Sequence, residues 1–226
     1  MCGRFQLSVQ GKQISERFNV EVFDELYSPN YNCAPSQKLP VITNDQPNTL
    51  SYFQWGLIPF WAKDAKEGFR NINTRSETIS SKPSFKNAFK KRRCLIPSNG
   101  FYEWKKDSNK TPFRIFLVDE KIFAMAGIWE TWKDSEARII NSFSIITTSA
   151  NSLVADIHNR MPVILNPEDE QAWLFENDEM LLQKMLLPYA SGSMNAYPVS
   201  KKVNSPKNNN PEITLRDEGG QQALFD

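Results

Sequence analysis

Apolar and polar positions alternate along much of the chain with the period of strands rather than helices. Gly3 to Ser8 reads as a short strand. Gln10 to Phe18 reads as a short amphipathic helix, with Ile14 and Phe18 four apart. Leu39 to Thr43 and Thr49 to Trp55 read as paired strands around the polar turn Asn44-Asp45-Gln46-Pro47. Asn32 to Ser36 is loop-like. Pro83 to Arg93 reads as a helix opened by proline, with Phe85, Ala88 and Phe89 on one face and lysines on the other. Strands then follow at Cys94–Ile96, Phe101–Lys105, Phe113–Val118, Ile122–Trp129, Ile139–Thr148 and Met161–Leu165. Helices at Glu168–Phe175 and Asp178–Leu187 precede a last strand, Asn195–Val199.

Such a run of consecutive strands predicts an α+β fold, with antiparallel β-sheets curled into a barrel-like core and helices packed outside. Alternating βαβ units are absent, which argues against a doubly wound parallel sheet. From about Asn204 the chain turns rich in Ser, Pro, Lys, Asn and Gly, the composition of a loose arm. The expected organisation is one domain over residues 1–214 and a flexible tail over 215–226.

Composition narrows the class. The 226 residues are 40% hydrophobic and 23% charged, enough to fold around a core. No stretch approaches the roughly 18 apolar residues of a membrane span, and the amino terminus lacks the layout of a secretory signal. Three scattered cysteines and one histidine argue against a disulfide framework and against a zinc site. The expectation is a cytoplasmic protein with reduced thiols, working without metal or cofactor, as a monomer.

Charge is segregated. The formal net charge is only +1, yet residues 61–110 hold thirteen Lys and Arg against five Asp and Glu. Aromatics (Trp55, Phe60, Trp61, Phe69, Phe101, Tyr102 and Trp104) lie in or beside this window. Basic charge interleaved with aromatic faces suits single-stranded nucleic acid; a solvated basic helix over buried core aromatics fits the same pattern equally well.

The amino terminus carries the most specific chemistry. Removal of Met1 gives Cys2 a free α-amine beside its thiol. The amine attacks an aldehyde to give an imine, and the thiol closes on the imine carbon to form a five-membered thiazolidine. Closure within one residue has a high effective concentration. Cys33 and Cys94 have no free amine and cannot do this. Taken alone, Cys2 reads as readily as a small buried residue. Glu103, set among Phe101, Tyr102 and Trp104, is suited to proton transfer if desolvated. His158 stands where a loop meets a strand, and Asn73 can donate and accept hydrogen bonds or cap a turn. Arg4, Arg75 and Arg160 each lie within two residues of one of these candidates and have the fork that suits phosphates, or a surface carboxylate.

Six ordered motifs carry a resemblance. They are Met1–Phe5, Tyr31–Gln37, Trp55–Trp61, Asn73–Thr78, Gly100–Trp104 and His158–Pro162. Their order over residues 2–214 resembles the SOS response-associated peptidase (SRAP) family. The resemblance implies an SRAP-type fold and a sensor of abasic sites in single-stranded DNA. It implies that Cys2 forms a thiazolidine DNA–protein crosslink, that Asn73 orients the sugar, and that Glu103 binds the α-amine and moves protons. His158 would open the closed sugar and assist crosslink resolution. Arg4, Arg75 and Arg160 would hold phosphates, and Trp61 would stack on bases. It also implies imine chemistry of the lyase type, with Met1 removed by the protein itself or by an aminopeptidase, in a bacterial, nucleoid-associated setting. Beyond the matched region, Gln221-Gln222-Ala223-Leu224-Phe225 looks like peptides that dock into bacterial sliding clamps. Two other classes stay open: an amino-terminal-nucleophile amidohydrolase, and a non-covalent single-strand-binding module.

Overall fold

The computed structural model of the protein describes residues 2–23 and 25–218. Strands β1 (Phe5–Leu7), β2 (Asn30–Cys33), β3 (Lys38–Thr43), β4 (Ser51–Trp55) and β5 (Asn73–Arg75) occupy the first third. Then come β6 (Arg93–Ser98), β7 (Gly100–Trp104), β8 (Pro112–Leu117), β9 (Phe123–Lys133), β10 (Ile139–Ser149), β11 (Arg160–Pro162) and β12 (Met194–Pro198). Helices are short: α1 (Gly11–Phe18), α2 (Lys86–Lys91), α3 (Ser152–Ala155), α4 (Glu170–Phe175) and α5 (Glu179–Lys184).

Five strands close into a ring, with β3 between β4 and β6, β9 between β6 and β10, and β10 returning to β4. Closure removes the exposed edges of this sheet. The barrel expected from the strand pattern is therefore present, but its pairing is not wholly antiparallel. β10 runs parallel to β4 (Phe143↔Trp55) and parallel to β5 (Ile146↔Thr74). Further along, β10 takes β11 antiparallel through Ser149↔Arg160. A second, antiparallel sheet has the order β12-β8-β7-β1-β2. The chain passes between the two sheets at Asn99, where Ser98 Oγ donates to the carbonyls of Gln6 and Gly100.

Gly127 makes the closure possible. It pairs with Cys94 on β6 and with Ile145 on β10, so both neighbours crowd one position. A Cβ there would lie 2.4 Å from Ile96 Cδ1, 2.9 Å from Cys94 Sγ and 3.2 Å from the Ser144 carbonyl.

The main core joins the two sheets. Phe5 of β1 meets Trp55 of β4 edge-on at 5.2 Å between ring centroids, and Trp55 stacks on Phe143 of β10. Trp55 Nε1 donates to the carbonyl of Ile72, immediately before β5 (2.8 Å). On the outer face of the barrel, Ile14, Phe89, Trp173 and Leu182 from four helices form a second cluster. Arg93, buried at its centre, donates to the carbonyls of Phe89, Lys90, Trp173, Leu174 and Glu176. One guanidinium thus satisfies the last carbonyls of α2 and α4. The basic segment is accordingly not one free cationic face: Arg93 is internal, Arg92 pairs with Glu130, and Lys90 pairs with Glu179.

Three sequence expectations need correction. Asn32 and Cys33 belong to strand β2 rather than a loop; Asn32 is buried and its amide donates to the carbonyls of Val203, Ser205 and Asn208. The proline-opened helix begins at Lys86, with Pro83 in the preceding turn. Residues after Asn204 do not leave as a loose arm. Ile213 is fully buried beside Tyr102 and Val203, and Val199 bridges to Arg216. The clamp-like motif Gln221–Phe225 and Met1 lie outside the described residues.

Gly127→Val should lower the melting temperature by roughly 3–10 °C, since overpacking a barrel seam costs about 1–3 kcal/mol. Adding Ile96→Val, which deletes the clashing Cδ1, should recover part of the loss in the same thermal scan; no loss in the single variant would show that the seam tolerates a side chain.

Candidate active site

The register of the second sheet brings the amino terminus to Glu103. Phe5 pairs with Phe101, and Tyr102 N–H donates to the Arg4 carbonyl at 2.9 Å. Continuing that antiparallel register sets Glu103 beside residues 2 and 3. From the barrel, β5 and β11 both dock on β10, which delivers Asn73 opposite Ile145 and Arg160 opposite Ser149. Helix α3, capped by Asn151 (Oδ1 accepting from Val154 N–H at 2.9 Å), leads directly into His158.

Cys2 is fully buried. Its carbonyl accepts from Asn73 Nδ2 at 2.7 Å, and its thiol faces the Arg4 carbonyl at 3.9 Å. Asn73 Oδ1 is also buried, with no hydrogen-bond partner among the described residues. A buried acceptor of this kind is costly unless something donates to it. Burial, with the Glu103 charge as a second cause, pushes the Cys2 thiol well above its ordinary range, so it is a thiol and not a thiolate at neutral pH. Burial likewise pushes Glu103 up to about 7. His158 Nδ1 lies 3.9 Å from Glu103 Oε1 and accepts from the Arg160 backbone N–H at 3.1 Å. Burial lowers the His158 pKa, which favours the neutral ring; Nδ1 also lies 3.2 Å from the Arg160 carbonyl, so either tautomer finds a partner in the Arg160 backbone. The site therefore holds a carboxyl poised near neutrality and a neutral imidazole 3.9 Å from it.

The other predicted residues divide. Arg75 is exposed, and no acceptor among the described residues takes its guanidinium. Arg160 is largely buried and makes a bidentate pair with Glu77 (2.5 and 3.0 Å) while donating to the Thr147 carbonyl at 2.6 Å. Arg4 is committed elsewhere: its guanidinium donates to Asn32 Oδ1 (2.7 Å) and to the carbonyls of Val203 (2.8 Å) and Asn204 (3.4 Å). It ties the amino terminus to the carboxy-terminal segment.

Trp61 is half exposed, as is neighbouring Phe60, and Phe69 on the same connection is more exposed still. The β4–β5 connection that carries them folds back on itself and is tied to β9. Gly56, at φ +125°, sits so close to Gly68 that a Cβ on it would lie 2.7 Å from the Gly68 carbonyl oxygen. Trp132 Nε1 also donates to the Ala62 carbonyl at 2.7 Å. Trp61 stands on this connection and is not part of the Cys2–Asn73–Glu103–His158 group.

Two residues escaped the sequence reading. Glu77 occupies the Arg160 fork; its position four after Asn73, within the same motif, was the available signal. Lys106 reaches Asn159 Oδ1 at 3.2 Å, beside His158, and its charge opposes the upward shift of Glu103. Nothing in the local pattern separates Lys106 from neighbouring Lys105.

The family model of the SOS response associated peptidases (SRAP) matches residues 1–206. The chain belongs to the SRAP family. Abasic site processing protein YoqW of Bacillus subtilis strain 168 is 48% identical over 220 residues, covering 94% of this chain and 98% of that protein. Abasic site processing protein HMCES of Rattus norvegicus is 30% identical over 227 residues, covering 82% of this chain and 64% of the rat protein. The crystal structure of a protein from Bacteroides thetaiotaomicron has the same SRAP fold, with a TM-score of 0.88 at 32% identity over 96% of this chain and all of that one. Among the described residues no helix is long and apolar enough to cross a membrane.

The raised Glu103 sets a pH dependence of stability. Its ordinary pKa is 4.5 and its folded value about 7, so folding favours the protonated form. That contribution is complete below the ordinary value and is lost as pH rises through 7. Glu103→Gln should match wild type near pH 4.5 and exceed it at pH 8 by roughly 2–3 kcal/mol, several degrees in melting temperature. Parallel melting curves across this range would refute the buried, raised carboxyl.

Proposed function

We propose that this SRAP protein processes abasic sites in single-stranded DNA by capturing the open sugar aldehyde on the α-amine and thiol of Cys2. The observation that carries the reading is the environment of Cys2. One amide, Asn73, fixes the Cys2 carbonyl with its nitrogen and keeps its buried oxygen unpaired beside it, while Glu103 sits near half-titration at neutral pH. The names of the YoqW and HMCES relatives point to the same substrate.

The steps follow from these groups. Removal of Met1 frees the Cys2 amine. The sugar ring opens as the His158 imidazole protonates the ring oxygen and ionised Glu103 takes the C1′ hydroxyl proton, which leaves the aldehyde. The amine nitrogen then adds to the aldehyde carbon, and loss of one water gives the imine. The thiol adds across the C=N bond: sulfur bonds to carbon, and its proton passes to nitrogen. A raised thiol pKa demands a base for that transfer, which ionised Glu103 supplies. Asn73 Oδ1 accepts from a sugar hydroxyl. An imine left open promotes β-elimination and strand scission; ring closure removes it. Arg75 and Arg160 hold flanking phosphates, and Trp61 stacks on a neighbouring base.

A denaturing gel with abasic and intact oligonucleotides tests this. A heat-stable adduct should form with the abasic strand alone. Cys2→Ala should lose it, while a residual amine can still cut the strand, and a variant with Met1 removal blocked should form none. A stable adduct from the blocked protein would exclude the aminothiol route, and equal retention of both strands without a covalent band would leave only a binding module.

A further inference from the structure

Arg160 donates its backbone N–H to His158 Nδ1, and its side-chain fork is already filled. Glu77 takes Nη1 at 2.5 Å and Nη2 at 3.0 Å, the two-point geometry that a phosphodiester would otherwise adopt. The ion pair is asymmetric in exposure: the Arg160 side chain is 14% exposed and that of Glu77 is 52%. Arg160 is held in place by the Thr147 carbonyl and by β11 pairing with β10, whereas the carboxylate approaches from the solvent side. Arg160 in turn draws the Glu77 carboxyl below its usual range, so Glu77 stays charged throughout the neutral region.

We propose that Glu77 is a specificity residue: its carboxylate occupies the phosphate seat of Arg160 and must be displaced before a DNA phosphate can be gripped. This rests on the reading of Arg160 as a phosphate contact in the function proposed above. An intact strand arriving from solution must compete with a tethered carboxylate, so its binding is weakened. A strand already bonded to Cys2 presents its neighbouring phosphate at a high effective concentration and wins that competition. Selectivity for abasic DNA then comes partly from Glu77 penalising strands that offer no aldehyde. Arg75, lacking such a competitor among the described residues, supplies the first, unselective contact.

The test reads non-covalent binding to an intact single-stranded oligonucleotide across a salt series, which needs no chemistry at Cys2. Glu77→Gln keeps size and hydrogen bonding but removes the charge. It should tighten binding at least threefold and steepen the slope of log K against log salt by about 0.7, one added phosphate contact. In an Arg160→Ala background the same change should have no effect. Glu77→Ala should repeat the gain, which guards against an altered fold in either single variant; melting curves confirm folding. Unchanged or weaker binding by both Glu77 variants, or an equal gain without Arg160, overturns the proposal. Wild type that fails to bind single strands at all, or fails to crosslink abasic ones, refutes the function reading instead.

Discussion

The site depends on one hydrogen bond that joins the two halves of the fold. Asn73 Nδ2 reaches the Cys2 carbonyl at 2.7 Å, linking the start of β5, which docks on barrel strand β10, to the amino-terminal end of the second sheet. A chain terminus ordinarily frays because few contacts outweigh its conformational entropy. Here Cys2 is fully buried, Phe5 is locked edge-on against Trp55, and Arg4 is clamped to Asn32 and the 203–204 carbonyls. Terminal chemistry needs that order, because an amine on a frayed end would not keep its place beside Glu103 and His158.

The same arrangement explains why the thiol is left in its protonated form. A thiolate-activating site would place positive charge or a helix amino terminus next to the sulfur. This one buries the sulfur and sets a carboxyl beside it. Such an environment suits a cysteine that acts second, after its own amine has made an electrophile. Glu103, poised near neutrality, and His158, held neutral by burial, are the groups the proposed chemistry uses to move protons.

Much of the architecture was legible because strands alternate visibly and the barrel strands are long or strongly apolar. β3 and β4 pair around the expected polar turn, and α1 lies within one residue of its expected start. The failures share a cause. β2 and β5 are short and polar, and they exist because distant partners complete them: Asn32 through the carbonyls of 203–208, and Asn73 through β10. The carboxy-terminal segment looks like an arm by composition, yet Val203 and Ile213 anchor it beside Tyr102. Motif order pointed to the residues that converge at the site. It did not reveal that Arg4 is a structural tie, or that Glu77 sits in the fork of Arg160, since ion-pair assignments depend on tertiary geometry.

The central claim concerns which atoms of the protein meet the sugar. Mass mapping of the purified abasic-DNA adduct after digestion of both components tests it most directly. The account predicts a modified peptide beginning at Cys2, heavier by the sugar fragment less one water, and unchanged by borohydride because no imine remains. A modified peptide that still carries Met1, a sugar attached to a lysine, or an adduct that gains hydrogen on borohydride treatment would contradict it.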